Sequence, residues 1–156
     1  MEKPLTDKVD KVEKAEKAEK GKDRKLGIST LDPDVHAAVD AAFDKKAEDI
    51  LVLDLRGLAT FTDYFLICSG GSQRQLETIA DNVEERLRGE GRKPSHVEGY
   101  PKGEWILMDY VDFVVHIFTP QSRAYYDLER LWGDARRLDV GDEWRSSVLV
   151  KSKARR

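Results

Sequence analysis

Residues 105–118 decide the architecture: Trp105-Ile106-Leu107-Met108-Asp109-Tyr110, then Val111, then Asp112-Phe113-Val114-Val115-His116-Ile117-Phe118. Two runs of strand length, rich in apolar, aromatic and β-branched residues and parted by one residue, predict neighbouring β-strands. In the first run, alternation puts Trp105, Leu107 and Asp109 on one face and Ile106, Met108 and Tyr110 on the other. Both faces are largely apolar, which fits a central strand or a strand with one side against a partner. Trp, Met and Tyr are enriched in binding hot spots, although an ordinary buried strand can have the same composition.

Working outward, Asp32-Pro33 is a helix start: Asp is a good N-cap and Pro suits the first helical position. Val35, Ala38, Val39, Ala42 and Phe43 then follow an amphipathic stripe, predicting a helix that ends near Glu48. Ile50 to Leu55 reads as a short buried strand. A turn containing Gly57 leads to a second strand, Thr62 to Cys68, and the short link predicts an antiparallel hairpin. Ser69-Gly70-Gly71-Ser72 ends that strand, and Ser72 with Gln75 forms a capping box. Leu76, Ile79, Ala80, Val83 and Leu87 mark the next helix, closed by Gly89 and Gly91. Lys93 to Val97 is a weak strand signal. Beyond Phe118, a last helix beginning near Ser122 is expected to put Tyr125, Leu128 and Trp132 on one face. The order α-β-β-α-β-β-β-α predicts an α/β fold, a small mixed β-sheet packed with helices, with no regular βαβ repeat.

The chain has 156 residues, enough for one domain, and 37% are charged against a usual share of about 25%. The charge is unevenly placed. Residues 1–27 hold nine Lys/Arg against seven Asp/Glu, and residues 151–156 hold four Lys/Arg and no acid. Between them, residues 28–150 hold 14 basic and 23 acidic residues, a net of −9, so the formal −3 describes neither part. An acidic body argues against a phosphate-tracking nucleic-acid binder, which needs a basic face. It suits a basic protein partner. No apolar run approaches the ~20 residues that cross a bilayer, and no secretory leader is recognisable. The seven acids of the first stretch argue against an organelle transit peptide. A single cysteine, Cys68, excludes an internal disulfide framework and a cysteine-cluster zinc site. A soluble, cytoplasmic protein is expected, divided into a disordered charged arm (1–30), a folded domain (31–138) and an irregular basic tail (139–156).

The chemistry-bearing residues are few. His36, His96 and His116 lie in different elements and show no metal-ligand spacing. His116 and Asp112 share a strand face and would suit a general base, yet no nucleophile stands near in a recognisable context. A half-buried, hydrogen-bonded strand histidine is the expectation. Gly70-Gly71-Ser72 between strand and helix is the best enzyme-like feature, because free N–H groups at a helix start attract phosphate. A magnesium-dependent nucleotidyltransferase would need paired carboxylates on an adjacent strand as well. Asp81 and Glu84 lie on a helix, and Asp109 and Asp112 straddle a strand break, so a turn and helix cap is preferred. Cys68 reads as a small core residue. No catalytic residue, metal or cofactor is assigned.

Taken in order, the blocks Asp49-Ile50, Asp54-Leu55, Thr62-Asp63-Tyr64-Phe65, Ser69-Gly70, Ile79-Ala80-Asp81, Val97-Glu98-Gly99, Trp105 to Tyr110, Asp112 to Phe118 and Arg123 to Trp132 form a specific pattern. It resembles the Iojap-like ribosomal silencing factor family over roughly residues 34–133. The resemblance implies a compact α/β fold related to nucleotidyltransferases but lacking their catalytic carboxylates. It implies a non-enzymatic factor that binds the large ribosomal subunit through ribosomal protein fourteen at the intersubunit face. There it would block joining of the small subunit and repress translation under nutrient limitation. It assigns partner binding to Trp105, Met108, Asp109 and Tyr110. Val111 departs from the glycine common at this place in the family. Because a β-branched residue resists φ > 0, a continuous strand or an altered turn is expected there. The two basic ends lie outside the resemblance. Peripheral contact of those ends with ribosomal RNA, and a homodimer of the free protein through the same apolar strand, are further expectations.

Overall fold

The computed structural model describes residues 25–144. Six strands form one mixed sheet in the order β3-β4-β5-β2-β1-β6. They are β1 (Glu48–Asp54), β2 (Tyr64–Ser69), β3 (His96–Glu98), β4 (Trp105–Asp109), β5 (Phe113–Phe118) and β6 (Arg136–Asp139). The expected hairpin is present, β1 running antiparallel to β2 with Val52 opposite Leu66. β2 and β5 pair in parallel from Tyr64↔Phe113 to Ser69↔Phe118. β4 is antiparallel to β5, and β3 to β4. β2 and β5 are buried along their whole length, as strands covered on both faces must be.

Two helices, α1 (Pro33–Asp44) and α2 (Gln73–Gly89), cover one face. Both begin as their caps require: Asp32 Oδ1 accepts the Asp34 N–H at 2.9 Å, and Ser72 Oγ accepts the Gln75 N–H at 3.1 Å. Their stripes meet Val52, Leu66, Met108, Val115 and Ile117 in the main core. α1 stops at Asp44, short of the expected Glu48, because Lys46 turns left-handed (φ +61). The opposite face carries a second cluster of Leu51, Leu53, Leu55, Phe65, Ile67 and Phe118. Only short pieces cover it, the 55–63 link and the helices α3 (Pro120–Tyr126) and α4 (Leu128–Leu131).

Three expectations need correcting. The last helix is two helices, split where Asp127 adopts φ +50. The break takes Tyr125 off the face of Leu128 and Trp132: it is 81% exposed, whereas they pack on the second cluster. The folded body also passes both boundaries drawn from the sequence. Leu26, assigned to the arm, is buried, and its N–H donates to Arg137 O at 2.9 Å along the outer edge of β6. Trp144, assigned to the irregular tail, is 1% exposed in the main core. Its indole N–H donates to Asp40 Oδ1 at 2.6 Å, and its ring lies 4.5 Å from that of His36. Between them β6 pairs with β1, and Arg136 reaches Asp54 Oδ2 at 2.7 Å. Burial would raise the Asp54 pKa, but hydrogen bonds from Arg56 and Arg136 outweigh it and hold the carboxyl below its ordinary value. The rest of the expected arm (1–24) and tail (145–156) lies outside the described residues.

Candidate functional site

The helix-free part of the second face is centred on β4. Strand alternation turns Ile106 and Met108 inward and leaves Trp105, Leu107 and Asp109 half-buried on the open side. Trp105 is fixed from three directions. Its Nε1–H donates to His116 Nδ1 at 3.1 Å, its ring stacks on Phe118 with centroids 5.0 Å apart, and Tyr126 lies 4.5 Å away. Since Nδ1 accepts, the imidazole proton sits on Nε2, which has no partner among the described residues. Burial pushes the His116 pKa down to about 3, so the ring is neutral near pH 7. His116 therefore orients a tryptophan. The Asp112 carboxylate, in the turn just before β5 and not on the strand of His116, is taken by Arg92, at 2.6 Å.

Beside Trp105 lies a groove of about 640 Å³. Trp105 and Leu107 line it together with Tyr125 and Tyr126 of α3, and Glu98 and Glu104 bring carboxylates. No Lys or Arg is among its lining residues. Its walls are fastened to the sheet. Ser122 Oγ donates to Glu104 O at 2.6 Å, and Thr119 caps α3 by accepting the Ser122 N–H at 3.2 Å. Arg123 Nη1 donates to Ser69 Oγ and to Asp49 O, both at 2.8 Å, while its Nε reaches Glu129 Oε1 at 3.1 Å. Gly99 (φ +80) lets the 99–104 turn fold back on β4, since a Cβ there would stand 2.0 Å from Trp105 O. An aromatic floor with carboxylates beside it suits a cationic side chain, attracted by ring faces and acids together.

Of the four expected contact residues, the structure brings Trp105 and Asp109 to this open face. Met108 and Tyr110 are removed from it, at 2% and 1% exposure, because their side of β4 faces the helical layer. Glu98, Glu104, Tyr125 and Tyr126, which line the groove, were not expected there, whereas alternation had already placed Leu107 on the Trp105 face. The adjacent Tyr125-Tyr126 pair was their one visible signal. Asp109 accepts the Val111 N–H at 2.8 Å, and Val111 itself adopts φ +76. The strands are thus joined by a tight turn with a left-handed valine, not by a continuous strand.

The Gly-Gly-Ser junction is filled by the chain's own side chain. Gly71 N–H donates to Gln75 Oε1 at 2.8 Å, and Gln75 Nε2 donates to Lys46 O at 3.2 Å. Cys68 is fully buried, and burial pushes its thiol pKa up to about 12. Among the described residues no three His, Cys, Asp or Glu converge as metal ligands, and no helix is long and apolar enough to cross a membrane.

The family model described as "Ribosomal silencing factor during starvation" matches residues 29–156, taking in the β4 face, α3 and Trp144. The chain belongs to the ribosomal silencing factor family. Ribosomal silencing factor RsfS of Bacillus subtilis is 44% identical over 103 residues, 66% of this chain and 87% of that one. The RsfS of Halalkalibacterium halodurans is 42% identical over the same length, covering 66% and 88%. A crystal structure of a Chromobacterium violaceum protein superposes with a TM-score of 0.63 at 35% identity, over 69% of this chain and 88% of that one. The mixed sheet packed with helices is therefore the fold of a silencing factor, and the groove beside Trp105 lies within the family match.

Proposed function

We propose that this chain silences ribosomes without catalysis, docking its open β4 face on a basic protein of the large subunit and excluding the small subunit. The observation that carries the reading is the groove beside Trp105: fixed aromatic rings with Glu98 and Glu104, on a body of net charge −9 over residues 28–150. Such a face recognises cationic side chains on a protein and repels a phosphate backbone. In the finer form of the reading, the partner is ribosomal protein fourteen at the intersubunit face and the setting is nutrient limitation in the cytoplasm. Trp105 supplies the aromatic anchor and Asp109 a carboxylate for an Arg or Lys. Met108 and Tyr110 support the strand from behind. The basic ends touch ribosomal RNA peripherally, and the same open face of β4, with the exposed rings of Tyr125 and Tyr126 beside it, gives the free protein a surface for pairing with a second copy. The nucleotidyltransferase alternative gains nothing from the geometry, since Gln75 takes up the Gly71 N–H that a phosphate would need.

Gradient sedimentation of mixed subunits with saturating protein tests the reading: the joined-ribosome peak falls and free subunits rise. Trp105→Ala and Asp109→Lys are expected to lose co-sedimentation with large subunits while keeping the parent circular-dichroism spectrum. An unchanged joined-ribosome pool at saturation rejects the proposal.

A further inference from the structure

Val111 combines a left-handed backbone, at φ +76, with an apolar side chain that is 64% exposed. A β-branched residue is disfavoured in this region, where glycine is at ease. The surrounding contacts hold the turn closed. Asp109 Oδ1 accepts the Val111 N–H at 2.8 Å, and Tyr110 O accepts the Asp112 N–H at 3.0 Å and Arg92 Nη2 at 2.9 Å. Arg92 also binds Asp112 Oδ1 at 2.6 Å and pairs with Asp34 of α1. Its guanidinium lies 5.7 Å over the ring of Phe113, which stacks on Tyr110. All these bonds use the backbone of the turn or its neighbours, and none uses the valine isopropyl group. A strained backbone that over-determined contacts hold in place is a recurrent mark of a recognition site.

We infer that Val111 is a contact residue of the partner-binding face, its isopropyl group covered by the basic large-subunit protein while the adjacent Asp109 carboxylate meets a cation beside it. The inference rests on the docking reading above and extends its surface. Asp109 belongs to the open face with Trp105 and Leu107, and the turn that fixes its carboxylate presents Val111. At a rise of about 3.3 Å per residue, Val111 lies roughly 20 Å along the chain from Trp105, within the span of a standard interface of about 800 Å² per partner. The rigid turn offers its side chain with little ordering left to do on binding.

The test measures affinity for purified large subunits and thermal midpoint for the parent, Val111→Gly, Val111→Thr and Trp105→Ala. Val111→Gly is expected to raise the midpoint by a few degrees yet bind roughly three- to tenfold more weakly. Val111→Thr keeps the branching and the strain but puts a hydroxyl in place of a methyl. It is expected to melt like the parent and to bind more weakly. Parent-like affinity in both valine variants, with binding lost in Trp105→Ala, overturns the role of Val111 and leaves the docking reading standing. Parent-like affinity in all three variants, or no binding by the parent, overturns both.

Discussion

His116 makes stability depend on pH in a way that can be isolated. In the unfolded chain its pKa is near the ordinary 6.5, whereas burial in the fold pushes it down to about 3. Between those values the unfolded chain binds a proton that the folded chain refuses. The contribution is therefore fully present above pH 6.5 and is lost as pH falls toward 3. The slope approaches about 1.4 kcal/mol per pH unit, so moving from pH 7 to pH 5 costs about 2 kcal/mol from this one group. That is a large share of a domain's usual margin of about 5–15 kcal/mol. Asp54 adds almost nothing between pH 7 and pH 5, since its carboxyl is held below the ordinary 3.8 in the fold. Two replacements remove the titration by different routes. In His116→Asn the amide oxygen takes the place of Nδ1 and keeps an acceptor for Trp105. In His116→Phe the ring volume is kept and the acceptor is lost. Both variants are expected to be weaker at pH 7, through a small cavity in one and an unpaired indole N–H in the other. Urea unfolding followed by tryptophan fluorescence at pH 7 and pH 5 gives the comparison, in which His36 and His96 are common to all three proteins. The parent should lose about 2 kcal/mol more than either variant. Equal losses in all three would refute the claim that His116 is held neutral in the fold.

Two further outcomes follow from the packing. Trp144→Ala empties a fully buried site and leaves Asp40 without its indole donor; the urea midpoint should fall by an amount equivalent to about 3–5 kcal/mol, and an unchanged midpoint would mean the residue is not in the core. Gly99→Ala drives a Cβ to within 2.0 Å of Trp105 O at φ +80, so a drop of about 2 kcal/mol or more is expected together with loss of large-subunit binding; a neutral effect on both would contradict the turn geometry.

Elements whose signal is local could be read from the chain. Asp32-Pro33 and Ser72 with Gln75 announced both long helices, because a cap acts within three residues. β2 and β5 declared themselves by apolar runs, because a strand covered on two faces has no place for charge. β6 was hidden for the opposite reason. Arg136-Arg137-Leu138-Asp139 offers the core a single apolar side chain, and its partners are Asp54 across the sheet and Leu26 along the edge. Neither is near in sequence, so nothing local separates this stretch from a charged loop. Trp144 was hidden likewise, since Asp40 and His36 are about a hundred residues away. A single left-handed residue, Asp127, undid the reading of the last helix, because the 3.6-residue period holds only while the helix continues.

The site was half legible, and the missing half is a matter of coverage. Alternation along β4 separates Trp105 and Asp109 from Met108 and Tyr110, but alternation alone does not say which side stays open. That depends on how much helix lies on each face. α1 and α2 have 12 and 17 residues, about 18 and 25 Å of helix, against a sheet about 24 Å wide across six strands. α3 and α4 have seven and four, too short to span the other face. The long amphipathic helices thus close the side of Met108 and Tyr110, and the side of Trp105 stays uncovered at β4. Its apolar floor is then bordered by Glu98 and Glu104, which keep it wettable in the free protein and, on the docking reading, attractive to a basic partner. The same short helices leave Tyr125 and Tyr126 beside the groove: the incomplete cover on this face and the groove have one cause.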